Sequence, residues 1–140
     1  MGNRAVITTK ENFDNDGIGI YLHWNGGVES VASFLKYCEL KNYRKPEEDT
    51  YGWAYLTNVI TNFFGSGLSC GVGRVSELDC DNWDNGTYFI KDWKIVGNMY
   101  GDSNASFDVD IDTLRENMEI LDECMPKEMR LTEEEKSRLN

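Results

Sequence analysis

Apolar side chains near the start of the chain recur with a period that predicts two β-strands. Residues 5–9 form a short run rich in β-branched side chains, and a polar turn is expected over residues 11–17. From Ile18 to Trp24, apolar side chains occupy every second position. A period of two is typical of a half-buried strand, so we expect two strands before the first helix.

Apolar positions three or four residues apart predict two helices after these strands. The spacing covers residues 28–42 and resumes after Asp49 or Thr50, either of which can cap a helix by accepting a backbone N–H. Gly65 is a natural stop, because glycine readily adopts the left-handed conformation that ends helices. The buried stripe of the second helix would comprise Trp53, Leu56, Ile60 and Phe63 or Phe64.

Three further strands are expected in the second half of the chain. The first is indicated by Leu68, Cys70 and Val72, and the others by residues 88–90 and 93–100. The dipeptide Asn85-Gly86 predicts a hairpin turn, since Asn-Gly supplies the positive φ angles of a type I′ turn.

Helical spacing returns near the end of the chain. A helix is expected to begin near Ile111, with Asp110 or Asp112 as its cap. Thr132 and Glu135 form a capping box that predicts a short terminal helix. The order β-β-α-α-β-β-β-α predicts an α+β fold, a mostly antiparallel sheet of about five strands with two to three helices on one face.

One domain is expected, because no linker rich in Pro, Gly or Ser divides the chain. It would span residues 1–126, with residues 127–140 as an exposed or frayed tail. No apolar run approaches the length of a membrane span, and the start of the sequence does not resemble a signal peptide. We therefore expect a cytoplasmic protein in which Cys38, Cys70, Cys80 and Cys124 are reduced thiols.

The charge of the chain is strongly negative and unevenly distributed. Fourteen basic and 25 acidic side chains among 140 residues give a net charge of −11. Residues 77–112 carry nine acidic and two basic side chains, a local charge of −7. Direct nucleic-acid binding is disfavoured, since it requires cations that displace counterions. A basic groove of a protein partner would attract such a surface, although the same charge also serves solubility alone.

The sequence holds few candidates for catalysis or metal binding. His23 is the only histidine, and no nucleophile elbow or phosphate-binding loop is present, so an enzyme is not expected. No cofactor is expected either. Zinc would require the fold to bring His23 and the four cysteines together, because no Cys-x-x-Cys pair exists.

Acidic side chains crowd two segments of the second half. Asp79, Asp81 and Asp84 surround Trp83, and their spacing lacks the order of an EF-hand, which favours a solvated acidic turn. For Trp83 we favour an indole that packs back on its own sheet, while contact with a partner is the alternative. Asp108, Asp110 and Asp112 are spaced by two, so a paired-carboxylate hydrolase or a Mg²⁺ site is an alternative, but helix capping and solvation are favoured. The candidate partner-binding residues are Asp79, Asp81, Trp83, Asp84, Asp108 and Asp110.

Four segments of the first hundred residues resemble a group of small phage- and prophage-associated proteins. They are residues 2–8, 21–27, 51–54 and 62–65, with the sequences GNRAVIT, YLHWNGG, YGWA and NFFG. The resemblance carries no catalytic residues. It implies a context in which small acidic proteins act against host defence, including as anti-CRISPR proteins.

The leading functional hypothesis is therefore a phage- or prophage-encoded anti-defence inhibitor. It would bind a basic surface of a host protein, with a CRISPR-associated nuclease as one such partner. Two alternatives remain open: a protein that sequesters a small nucleotide-like ligand, and a structural protein that contains zinc.

Overall fold

A single mixed β-sheet forms the centre of the fold. The computed structural model describes residues 2–65 and 69–139. The strand order is β3-β2-β1-β4-β5, and every neighbouring pair is antiparallel except β1 and β4, which run parallel. The five strands are β1 (Ala5–Thr8), β2 (Ile18–Leu22), β3 (Cys70–Arg74), β4 (Thr87–Lys91) and β5 (Lys94–Met99). The predicted mostly antiparallel sheet is confirmed, whereas Leu68 lies outside the described residues.

Three long helices pack on one face of this sheet, as the α+β prediction requires. The helices are α1 (Lys10–Asp14), α2 (Val28–Leu40), α3 (Thr50–Phe64), α4 (Ile111–Cys124) and α5 (Glu133–Ser137). Short 3₁₀ turns cover Val75–Glu77 and Lys127–Met129. Among the described residues, none of these helices has the length and apolar character needed to cross a bilayer.

The ends of the long helices are where the local sequence predicts them. Asp49 caps α3 by accepting the backbone N–H of Tyr51 at 2.9 Å, and Gly65 ends the helix with φ of 82°. Asp110 caps α4 by accepting the N–H of Thr113 at 3.0 Å. Each cap satisfies a backbone group that the helix leaves without an internal partner, so a few residues fix each boundary.

The prediction of a polar turn over residues 11–17 is wrong for its first part, which forms helix α1. The hydroxyl of Thr9 caps this helix by accepting the N–H of Asn12 at 3.0 Å. Phe13 on α1 packs edge-on against Phe89 of β4, with ring centroids 5.2 Å apart. This contact with the sheet holds a segment whose own polar sequence favours a turn.

The predicted hairpin at Asn85-Gly86 is also wrong, because the strands before and after it, β3 and β4, are separated in the sheet by β2 and β1. The hairpin that joins β4 and β5 turns instead at Asp92 and Trp93, with φ of 55° and 58°. Trp93 is buried, and its indole N–H donates to the carbonyl of Tyr43 at 3.0 Å. Burial of a large side chain therefore outweighs the unfavourable left-handed backbone of a non-glycine residue.

The main hydrophobic core lies between the sheet and the three long helices. Strands β1, β2 and β4 contribute alternate residues, and each long helix contributes one apolar face. The fully buried members with the largest side chains include Tyr37, Phe34, Ile7, Ile20, Leu22, Leu35, Leu40, Leu56 and Ile60. On the opposite face, α1 and the segment before β4 cover the central strands, and Leu78 lies against Gly19.

The C-terminal segment crosses the ends of α2 and α4. Most of its side chains are exposed, but Leu131 is buried and its N–H donates to the carboxylate of Asp122 at 2.8 Å. The hydroxyl of buried Tyr37 donates to the same oxygen at 2.8 Å. Lys41 forms an ion pair with Glu135 of α5 at 3.0 Å. The segment is thus attached to the domain at several points, while its exposed or frayed character stays a prediction.

Gly65 and Gly86, which both have positive φ, provide a matched test of this packing. We expect Gly86→Ala to destabilise the protein more than Gly65→Ala, although both residues adopt a left-handed backbone. A methyl group at residue 86 would collide with the carbonyl oxygen of Met99, whereas residue 65 faces open space. Gly65→Ala should cost only the conformational penalty of about 1–2 kcal/mol. Urea denaturation of both variants measures the difference, and equal losses would contradict the packing.

Candidate functional site

The acidic segment before β4 is organised around one buried side chain, Asn82. We call residues 78–86 the Trp83 loop. The side-chain nitrogen of Asn82 donates to the carbonyls of Asp79 at 3.0 Å and Gly86 at 2.9 Å. Its oxygen accepts the backbone N–H groups of Asp84, Asn85 and Gly86 at 3.2, 3.2 and 2.9 Å. One fully buried amide therefore fixes most of the loop backbone.

Arg4, which directly precedes β1, attaches the loop to the sheet. Its backbone N–H and its Nε both donate to Oδ2 of Asp84, at 2.9 and 2.8 Å, and its guanidinium lies 3.4 Å from Asp79. The Arg4 side-chain hydrogen bond, its backbone hydrogen bond and the nearby positive charge hold the pKa of Asp84 below its usual value. Two of the three predicted acidic residues of this loop are therefore already paired within the protein.

Trp83 extends away from this rigid loop into solvent. It is 91% exposed and has φ of 65°, a left-handed conformation that is unusual for a tryptophan. The favoured interpretation, that its indole packs back on the sheet, is wrong. Because Asn82 points inward, the residues on either side of it, Asp81 and Trp83, are both exposed.

A second group of aromatic side chains lies at the end of β2, close to Arg4. The hydroxyl of Tyr21 is 3.0 Å from Nδ1 of His23, and the His23 ring stands perpendicular to Trp24 with centroids 4.9 Å apart. Trp24 is 45% exposed. Burial is the main cause of the raised pKa of Tyr21. The nearby charge of Arg4 lowers this pKa, and those of Asp79 and Asp84 raise it. These aromatic residues thus lie within electrostatic range of Arg4 and of the Trp83 loop.

The structure places Asp108 and Asp110 away from the Trp83 loop. Asp110 is the N-cap of α4, and this hydrogen bonding lowers its pKa. Asp108 lines a cavity of about 230 Å³ on the helical side of the sheet, together with Lys36, Lys94 and Trp93. Of the six candidate partner-binding residues, only Asp79, Asp81, Trp83 and Asp84 share one loop.

Internal ion pairs also reduce the acidic surplus of residues 77–112. Asp92 pairs with Lys45 at 2.6 Å, and this hydrogen bond and the lysine charge lower the pKa of Asp92. Asp112 lies 3.4 Å from Arg115. The negative segment therefore does not form one continuous unpaired surface, and Asp81 stays exposed two residues from the exposed Trp83.

The cysteines lie in different environments. Cys38 is buried, Cys70 and Cys80 are half-buried, and Cys124 is exposed. Burial raises the pKa of the thiols of Cys38, Cys70 and Cys80, so it favours their neutral form. Within residues 2–65 and 69–139, no three or more His, Cys, Asp or Glu side chains are arranged to hold a metal ion.

Comparison with known proteins adds no functional constraint to this geometry. No protein-family model, curated protein or solved structure matches the chain. Sequence reasoning identified the acidic loop and its tryptophan, but it missed Asn82 and Arg4. The one available signal for Asn82 was its position in an acidic loop, which does not distinguish a buried amide from a solvated one.

Asn82→Ala should destabilise the protein by about 3 kcal/mol, since it leaves the buried N–H and carbonyl of Gly86 without their side-chain partner. Urea denaturation measures the loss. Asn104→Ala, in an exposed loop, is the control and should change the free energy of unfolding by less than about 0.5 kcal/mol. Similar stabilities for the two variants would show that the Asn82 hydrogen bonds contribute little.

Arg4→Gln should raise the pKa of Asp84 toward that of an ordinary aspartate, because the hydrogen bond and charge of the guanidinium are lost. In the native protein the lowered pKa means that this pair stabilises the fold above the usual aspartate pKa. The contribution disappears as the pH falls through the lowered value. NMR titration of the carboxyl carbons measures the change, and the pKa of Asp110 should stay the same in both proteins. An unchanged Asp84 pKa would contradict the assignment.

Proposed function

We propose that this protein is a binding protein that docks the Trp83 loop on a protein partner. The observation that carries the proposal is the 91% exposure of Trp83 on a loop fixed by a buried amide. Tryptophan is the residue type most enriched at the energetic centres of protein interfaces. Trp83 is a large apolar ring that a rigid backbone already holds in solvent, so it is preorganised to bind a partner.

Burial of this ring supplies a substantial driving force. Transfer of roughly 200 Å² of indole surface out of water is worth about 5 kcal/mol before the costs of association. The hydrogen bonds of Asn82 and Arg4 already order the loop, so little backbone entropy is lost on binding. Asp81 next to the ring favours a cationic site on the partner, and the net charge of −11 increases the rate of encounter with such a site.

The partner class that we propose is a host defence nuclease, with the protein acting as a phage- or prophage-encoded inhibitor. Nucleases that bind DNA or RNA carry basic channels, whose charge complements this chain. A CRISPR effector is one partner of this kind. The support for the nuclease class is the charge and the sequence resemblance, whereas the support for the docking loop is Trp83 itself.

Capture of purified candidate nucleases by the immobilised protein tests this function. We expect Trp83→Ala to weaken capture at least tenfold, because a central aromatic anchor typically contributes 2 kcal/mol or more to binding. Tyr51→Ala is the matched control, since Tyr51 is also an exposed aromatic residue, at the start of α3. It should bind like the unmodified protein. Both variants should retain their thermal stability.

Salt provides the second arm of the same experiment. Capture should weaken between 50 and 500 mM NaCl (about a tenfold range of ionic strength), because exposed charges are increasingly screened. Equal capture by the Trp83→Ala variant and the unmodified protein would rule out the Trp83 loop as the docking site. Failure to capture any nuclease at low salt would rule out the proposed partner class.

A further inference from the structure

We propose that the group recognised by the Trp83 loop is an arginine side chain of the partner, held between the Trp83 ring and the Asp81 carboxylate. This inference rests on the proposed function, since it specifies the chemistry of the same docking site. The inference specifies which cation binds to the Trp83 loop, whereas the proposed function specifies which class of protein supplies that cation.

The placement of the two side chains favours a guanidinium. Asp81 and Trp83 flank a fully buried residue, and both are exposed. An indole offers the face on which a planar guanidinium stacks best, and a carboxylate accepts its N–H groups in pairs. The two side chains thus supply both of the interactions that a guanidinium can make at once.

The neighbouring carboxylates are already occupied by a guanidinium of this chain. Arg4 engages Asp84 at 2.8 Å and Asp79 at 3.4 Å. Among the described residues, no hydrogen bond or ion pair engages the Asp81 carboxylate. The loop holds three carboxylates against one arginine, so it retains negative charge at its exposed tip. A cation from outside complements that charge.

The exposed indole distinguishes arginine from lysine. A lysine ammonium can pair with Asp81, but it is compact and strongly hydrated and does not stack as a plane on an aromatic face. The exposed carboxylate alone would accept either cation. The exposed indole beside it selects the guanidinium.

Two labelled peptides of equal charge test this inference without the natural partner. One is (Gly-Arg)₄-Gly and the other is (Gly-Lys)₄-Gly, and each is titrated into the full chain at low salt. The readouts are the fluorescence anisotropy of the peptide and the indole N–H signal of Trp83, assigned by its loss in Trp83→Phe. We expect the arginine peptide to bind about two- to fivefold more tightly and to shift the Trp83 signal.

Asp81→Asn should remove up to about fivefold of the affinity for the arginine peptide, as expected for one exposed ion pair. Glu116→Gln changes the charge equally at an exposed position on α4 and should leave the affinity within experimental error. Equal affinity for the two peptides, an unshifted Trp83 signal, or equal effects of the two charge variants would overturn the inference. Those results would leave Trp83-dependent capture of a nuclease intact, whereas loss of that capture alone would reject the proposed function.

Discussion

The amide side chain of Asn82 is the interaction on which the arrangement of the Trp83 loop depends. It supplements two backbone hydrogen bonds that join the end of the loop to the β1 segment, from the N–H of Asn85 to the carbonyl of Arg4 and from the N–H of Val6 to the carbonyl of Gly86. Its bonds to both the N–H and the carbonyl of Gly86 fix the chain as it enters β4. The same bonds determine that Asp81 and Trp83 face outward. The position of a central strand and the exposure of the indole thus have a common cause.

The helices of this protein could be predicted from sequence because their determinants are local. The apolar spacing of α2, α3 and α4 and the caps Asp49 and Asp110 act within a few residues of the elements they define. The hairpin could not be predicted. Asn85-Gly86 is a strong local turn signal, but in the structure the backbone N–H groups of both residues donate to the side chain of Asn82. The real turn at Trp93 depends on a contact with Tyr43, fifty residues away in the sequence.

The pairing of charges in the candidate site could likewise not be predicted from local sequence. Composition identified an acidic segment, but it could not show which carboxylates are paired. Arg4 is remote in sequence from Asp84, and only the sheet brings them together. The exposure of Trp83 was equally hidden, because an indole in a polar loop can face either direction. The sequence located the acidic segment, and the folded structure shows which of its side chains are paired and which are exposed.

The parallel pairing of β1 with β4 has a consequence for the order in which the chain can assemble. β1 is the middle strand, and the contact between Arg4 and Asp84 spans 80 residues. A ribosome must therefore release most of the chain before the middle of the sheet is complete, and β1 can pair only with β2 until then. Such long-range closure slows folding and prolongs the time during which one edge of β1 stays open to other strands.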